Sequence, residues 1–301
     1  MSRIHEALKK AEQERAMLQG NVRVDVAPAV MDAPVAATAV TAPVLPTLAP
    51  GLPFSGDALF TKSRQVEWNP DSKCMLFFSG EEHAAGMEEF RTLRSRLYQL
   101  REKQTLSKLL VTSALPREGK SFTSANLAQV IVRQHGRRVL LIDADLRNPQ
   151  LHKLFGAERG PGLFEYLRAE ADEFSIMQRG SMENLFFIPA GTASPNPAEL
   201  LANGRLRTLL NRVEAMFDWI IIDSAPAVPV SDAALLANDC DGVLLVVRSN
   251  STPMDAARRA AKEFSDRNVV GVVLNGVTPE LSPYMQYYYA AYGSEDSGSK
   301  N

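Results

Sequence analysis

Short apolar runs recur through the middle of the chain, with helical patterns between them. They are Lys108–Thr112 (KLLVT), Val139–Ile142 (VLLI), Leu185–Ile188 (LFFI), Trp219–Ile222 (WIII), Val243–Val247 (VLLVV) and Val269–Leu274 (VVGVVL). Most are apolar at successive positions, as parallel strands buried on both faces are, rather than alternating. A helical stretch from about Met87 to Glu102 precedes the first run. This alternation predicts an α/β fold with a doubly wound, mostly parallel sheet and ligands at the carboxyl ends of its strands.

The ends of the chain read differently. Residues 2–19 show helical periodicity, with Ile4, Ala7, Leu8, Ala11 and Leu18 near one face and charges of both signs on the others. That pattern predicts a solvated or partner-docked helix rather than a basic membrane-surface one. From Ala33 to Gly56 no residue is charged, but Pro34, Pro43, Pro46, Pro50 and Pro53 interrupt the segment. Prolines at that density break a membrane-spanning helix and predict an extended linker. The organisation expected is therefore an N-terminal helix (1–19), a Pro/Ala-rich linker (20–77), a folded domain (78–280) and a flexible tail (281–301). That tail reading rests on its polar, Gly/Ser-rich end, yet the same region also gathers Tyr284, Tyr287, Tyr288, Tyr289 and Tyr292, five of the chain's seven tyrosines. Even spacing would place fewer than one there.

Composition narrows the classes. A formal net charge of −2 gives no global basic field to recruit nucleic acid or acidic lipid. Cys74 and Cys240 lie far apart, without metal-site or redox spacing. The charged N-terminus lacks the apolar core of a signal peptide, so a cytoplasmic location is expected.

Candidate chemistry begins at KLLVTSALPREGKSFTSANLAQVIV, a strand, then Gly119-Lys120-Ser121, then a helix. In a phosphate-binding loop of this kind, which Pro116 opens, backbone N–H groups of Arg117, Glu118, Gly119 and the residues on to Phe122, at a helix N-terminus, cradle the phosphates. Lys120 reaches the outer oxygens and the Ser121 hydroxyl serves Mg²⁺. The GxxxxGK[ST] pattern has glycine where this chain has Ala114. Two more strand ends carry carboxylates: VLLIDADLRNP supplies Asp143, Asp145 and Arg147, and WIIIDSAPA supplies Asp223. Each aspartate alone reads equally as a cap on the following turn. Together, beside a phosphate loop, they are the hard oxygen ligands that Mg²⁺ takes.

These residues carry a resemblance. The chain is similar to the bacterial tyrosine kinases of capsular and exopolysaccharide synthesis, whose core is of the deviant P-loop ATPase type. The loop P-x-E-G-K-[ST] is matched by Pro116, Glu118, Gly119, Lys120 and Ser121, the D-x-D-x-R motif by Asp143, Asp145 and Arg147, and D-[ST]-x-P by Asp223, Ser224 and Pro226. GTASPNPAELL fits a further family stretch, and MSRIHEALKKAE resembles the exosortase-associated autokinase branch. Ala225 and Ser194 stand where proline is common. The resemblance spans roughly residues 78–292.

It implies an ATP- and Mg²⁺-dependent autokinase that phosphorylates its tail tyrosines in trans and regulates polysaccharide polymerisation and export. A tyrosine hydroxyl titrates near 10, so its attack needs a carboxylate to take the proton. Asp145 is the first choice, with Ser121, Asp143 and Asp223 organising Mg²⁺, although Asp143 and Asp145 can exchange roles. Arg147 either meets phosphate, activates a neighbouring site or forms a structural ion pair. Asn275 is expected near the adenine. Glu88, Arg91 and Arg94, in MEEFRTLRSRL, make a subunit contact in the family, here read against the alternative of a solvated i, i+3 pair. The resemblance further implies a ring of subunits, a membrane-bound chain-length regulator as activator, peripheral attachment through it, and a cognate tyrosine phosphatase. The competing reading is a partition- or positioning-type ATPase switch without kinase activity. Such switches carry a second lysine in the loop, where this chain has Leu115.

Overall fold

The computed structural model describes residues 60–78 and 86–277. The expected N-terminal helix, most of the linker and the tyrosine-rich tail lie outside the described residues. Among the described residues, the strands are β1 (Arg64–Gln65), β2 (Lys108–Ser113), β3 (Val139–Asp143), β4 (Gln178–Arg179), β5 (Leu185–Ile188), β6 (Trp219–Asp223), β7 (Gly242–Arg248) and β8 (Val269–Asn275). The helices are α1 (Met87–Arg101), α2 (Lys120–Val132), α3 (Leu151–Phe155), α4 (Leu163–Leu167), α5 (Pro197–Leu201), α6 (Arg205–Val213), α7 (Asp232–Ala237) and α8 (Met254–Glu263). One sheet runs in the order β1-β4-β5-β3-β6-β2-β7-β8. Every pairing is parallel except β4 with β5. All six strands expected from the apolar runs are present.

The continuous apolar runs follow from burial on both faces. Leu110, Leu140, Ile142, Phe186, Ile220 and Leu245 enter one core with α4, α6 and α7. Their neighbours Leu109, Leu141, Phe187, Ile221 and Leu244 enter the other, beneath α1 and α2. Strand side chains alternate between faces, and a Leu or Ile so buried contributes about 1.5–3 kcal/mol. Helix α2 is buried at nearly every position, since the sheet covers one side and α1 the other, where Phe90 and Phe122 meet edge to face at 5.8 Å.

Residues 60–77, at the end of the expected linker, depart from that expectation. This segment packs on the domain. β1 extends the sheet beside β4, and Trp68 inserts against Phe155 and Phe187 with ring separations of 5.0 and 6.4 Å. Met75 and Phe77 are fully buried. Asn126 of α2 satisfies the strap's backbone, accepting from the Leu76 N–H at 2.9 Å and donating to the Cys74 carbonyl at 2.8 Å. The apolar anchors are separated by polar residues without a period, so no run marks them.

Register places the chemistry. β3 and β6 pair from Val139 with Trp219 to Asp143 with Asp223, bringing the two aspartates side by side. β2 flanks β6 on the other side, so its loop into α2 emerges beside them at the carboxyl edge.

Candidate functional site

The turn from β2 into α2 hinges on Gly119, whose φ is +97°. A Cβ there would fall 1.9 Å from the Asn275 amide nitrogen, so both the backbone conformation and the close approach exclude larger residues. The first N–H groups of α2 have no acceptor within the helix and leave its N-terminus open to an anion.

Lys120 turns toward the strand ends, where its Nζ lies 2.9 Å from an Asp145 oxygen and 3.4 Å from the Ser121 hydroxyl. Ser121 donates to Asp223 at 2.6 Å. Ser124 donates to the other Asp223 oxygen at 3.1 Å. Asp143 accepts from the Leu151 N–H at 3.0 Å and, more weakly, from the Asp145 N–H at 3.3 Å. The remaining Asp145 oxygen accepts from the Asn148 N–H at 3.0 Å. The structure thus brings together Lys120, Ser121, Asp143, Asp145 and Asp223 from three separate segments, the start of α2 and the ends of β3 and β6.

All three carboxylates are buried. Burial, then the charges of Asp223 and Asp145, hold the Asp143 carboxyl well above the usual carboxylate range. Burial pushes Asp223 up to about 6, against the pull of Lys120 and the Ser121 hydroxyl. For Lys120, burial favours the neutral amine, but Asp223 and Asp145 outweigh it and raise its pKa. Three carboxylates therefore share one interior ammonium, an arrangement that favours a further cation. Hard oxygen donors of this kind fit Mg²⁺. Among the described residues no three acidic, His or Cys side chains could hold a metal alone, so an ion here needs phosphate or water oxygens as well.

A prediction follows for the nucleotide- and metal-free protein. Because the folded-state pKa of Asp223 lies above its unfolded value of 3.8, its contribution to stability is complete at low pH and is lost as pH rises through about 6. Asp143 shifts in the same direction, while the stability contributed by the raised pKa of Lys120 is complete at neutral pH and below and is lost only in strong alkali. Asp223→Asn removes the buried charge and is expected to add roughly 1–3 kcal/mol at pH 8, with a much smaller gain at pH 5. Urea unfolding at the two pH values measures this; a variant less stable than the parent at pH 8 would contradict it.

Other expected residues fall as follows. Arg147 is engaged by Asp232, a fully buried carboxylate at the start of α7, through two bonds of 2.7 and 2.9 Å. Of its three readings, the structural ion pair is the one observed. Asn275 donates to the Glu118 carbonyl at 2.9 Å. Pro116 and Arg117 are exposed at the loop tip, and the Phe122 ring packs on Phe90. On α1, Glu88 and Arg91 form an exposed pair, whereas Arg94 donates to the Val130 carbonyl of α2 at 2.8 Å.

Sequence reasoning missed Ser124, Asp232 and Thr252. Ser124 carried a usable signal, since it lies three and four residues after Ser121 and Lys120 on the same helix face. The other two reach the site only through the fold.

Comparison with known proteins gives a consistent result. A family model described as "AAA domain" matches residues 118–262. Tyrosine-protein kinase YwqD of Bacillus subtilis is 35% identical over 219 residues, covering 72% of this chain and 90% of YwqD. Tyrosine-protein kinase wzc of Salmonella typhimurium is 32% identical over 208 residues, which is 68% of this chain but only 29% of that longer protein. The kinase domain of Escherichia coli tyrosine kinase ETK superposes with a TM-score of 0.59 at 34% identity, covering 64% of this chain and 75% of that one. With this identity extending over nearly the whole of YwqD, and the Lys120, Asp143, Asp145 and Asp223 cluster at the strand ends, the chain belongs to the bacterial tyrosine-protein kinase family.

Proposed function

We propose that the protein is an ATP-dependent protein-tyrosine autokinase that phosphorylates its C-terminal tyrosine cluster in trans and regulates exopolysaccharide or capsule polymerisation and export. The observation that carries this reading is the Lys120 ammonium 2.9 Å from Asp145, beside Ser121 bound to Asp223, in a chain of this family. The α2 N-terminus and the loop N–H groups of residues 117–122, in the loop that Pro116 opens, take the phosphates. Bound Mg²⁺ supplies charge neutralisation of the phosphoryl group, and Ser121, Asp143 and Asp223 are the residues that would hold it. Lys120 moves its charge from Asp145 to a phosphate. That exchange frees an Asp145 oxygen to accept the proton of an incoming tyrosine hydroxyl. Asn275 borders the same cradle and is assigned to its base end.

The acceptor follows by accessibility as well as by sequence. Tyr166 is 1% exposed, and the Tyr98 hydroxyl is buried beside Trp219. Neither can present its oxygen to another chain, which leaves the five tail tyrosines.

No described helix is long and apolar enough to cross a membrane. We assign attachment at the inner membrane face to a chain-length-determinant activator, with Glu88 and Arg91 at a subunit contact of a ring and a tyrosine phosphatase reversing the modification. Transfer between chains has a direct test. A Lys120→Met chain, which keeps its tail, is mixed with a chain whose five tail tyrosines are phenylalanine, which keeps its site. Label from γ-labelled ATP is expected in the Lys120→Met chain. If neither chain is labelled while the parent protein labels itself, transfer occurs within one chain.

A further inference from the structure

Glu118 places a carboxylate in the middle of a loop whose amides face an anion. A free carboxylate there would repel bound phosphate at short range. The structure instead turns it inward: Glu118 is 3% exposed. One oxygen accepts from the Leu115 N–H at 2.8 Å, and the other accepts from the Thr252 hydroxyl. Thr252 lies 134 residues away, in the turn between β7 and α8.

Two further contacts close that turn, and two more hold the loop beside it. The Arg248 N–H donates to the Thr252 hydroxyl oxygen at 3.0 Å, and Thr252 N–H donates back to the Arg248 carbonyl at 3.1 Å. A hydroxyl has one proton to give, so the contact received from Arg248 leaves that proton for Glu118. The Arg248 guanidinium donates to the Arg117 carbonyl at 3.2 Å, and Asn275 donates to the Glu118 carbonyl. Both sides of the loop backbone are thereby held from the carboxyl ends of β7 and β8.

We propose that Thr252 is a positioning residue of the nucleotide loop, acting through Glu118: its hydroxyl keeps the carboxylate turned away from the phosphates and holds the loop open to receive them. This rests on the nucleotide-site reading above. Without the hydroxyl, Glu118 retains a single N–H partner and is free to swing toward the helix N-terminus, where it competes with phosphate for the same positive potential.

Thr252→Val preserves shape and removes only the hydrogen bonds. Its Kd for ATP with Mg²⁺, measured by calorimetry, and its KM for ATP in autophosphorylation are expected to rise about tenfold, the scale of one lost charge-assisted hydrogen bond. The kcat is expected to stay within about twofold, since the residue does not touch the reacting atoms. Thr252→Ser restores the parental values. Adding Glu118→Gln to Thr252→Val recovers most of the affinity, because a neutral amide no longer competes with phosphate; loss of packing alone would not be repaired in this way. Parental affinity in Thr252→Val, a fall in kcat without a change in KM, or no recovery in the double variant would overturn the inference while leaving the nucleotide site intact. Absence of ATP binding by the parent protein would overturn the site reading itself.

Discussion

Lys120→Met is expected to reduce phosphoryl transfer to tyrosine by at least 10²–10³-fold, the order seen when one preorganised charge-stabilising donor is removed from an active site. The methionine keeps most of the lysine's length and its buried stem, so the change isolates the charge. In the parent, the ammonium sits 2.9 Å from Asp145 and within the field of Asp143 and Asp223. Removing it leaves three buried carboxylates facing the space where a polyanion must enter. Both the ground-state attraction and the neutralisation of transferring oxygens are lost together, so KM and kcat are both expected to suffer. The rate of label incorporation from γ-labelled ATP measures the effect, with circular dichroism reporting that the fold is kept. A variant that retains transfer would place the phosphates somewhere other than the α2 N-terminus.

How much of this was legible in the sequence depends on the distance over which each signal acts. The six principal strands announce themselves because burial on both faces demands unbroken apolar runs, as in VLLID and WIIID. β1 and β4, two residues each, are too short to carry any period. Trp68, Met75 and Phe77 anchor the strap at 60–78, but their spacing follows the surface of α2 and α3 rather than a helix or strand repeat.

Within the site, Lys120, Ser121, Asp143, Asp145 and Asp223 were readable because each sits where a strand hands over to a loop, and local pattern fixes that position. The role of Arg147 was not, since its partner Asp232 lies 85 residues away and reads locally as an ordinary helix-start acid. Thr252 was invisible for the same reason, and the inward orientation of the Glu118 carboxylate with it. Strand register, which no local window encodes, is what joins these pairs.

That the tail tyrosines are the substrate of this site is tested most directly by changing all five to phenylalanine. Phenylalanine keeps the aromatic rings, and with them any packing of the tail, but removes every acceptor oxygen. The two tyrosines left in the chain are Tyr98 and Tyr166, whose hydroxyls are buried in the domain. Purified parent and five-Phe proteins, incubated with γ-labelled ATP and Mg²⁺, are compared for phosphotyrosine. The parent is expected to accumulate it at Tyr284, Tyr287, Tyr288, Tyr289 and Tyr292, and the five-Phe protein to lose nearly all of it while still binding ATP. Phosphotyrosine persisting in the five-Phe protein, or ATP hydrolysed by the parent with no tyrosine labelled even beside a membrane activator, would show that the tail is not the substrate of this site.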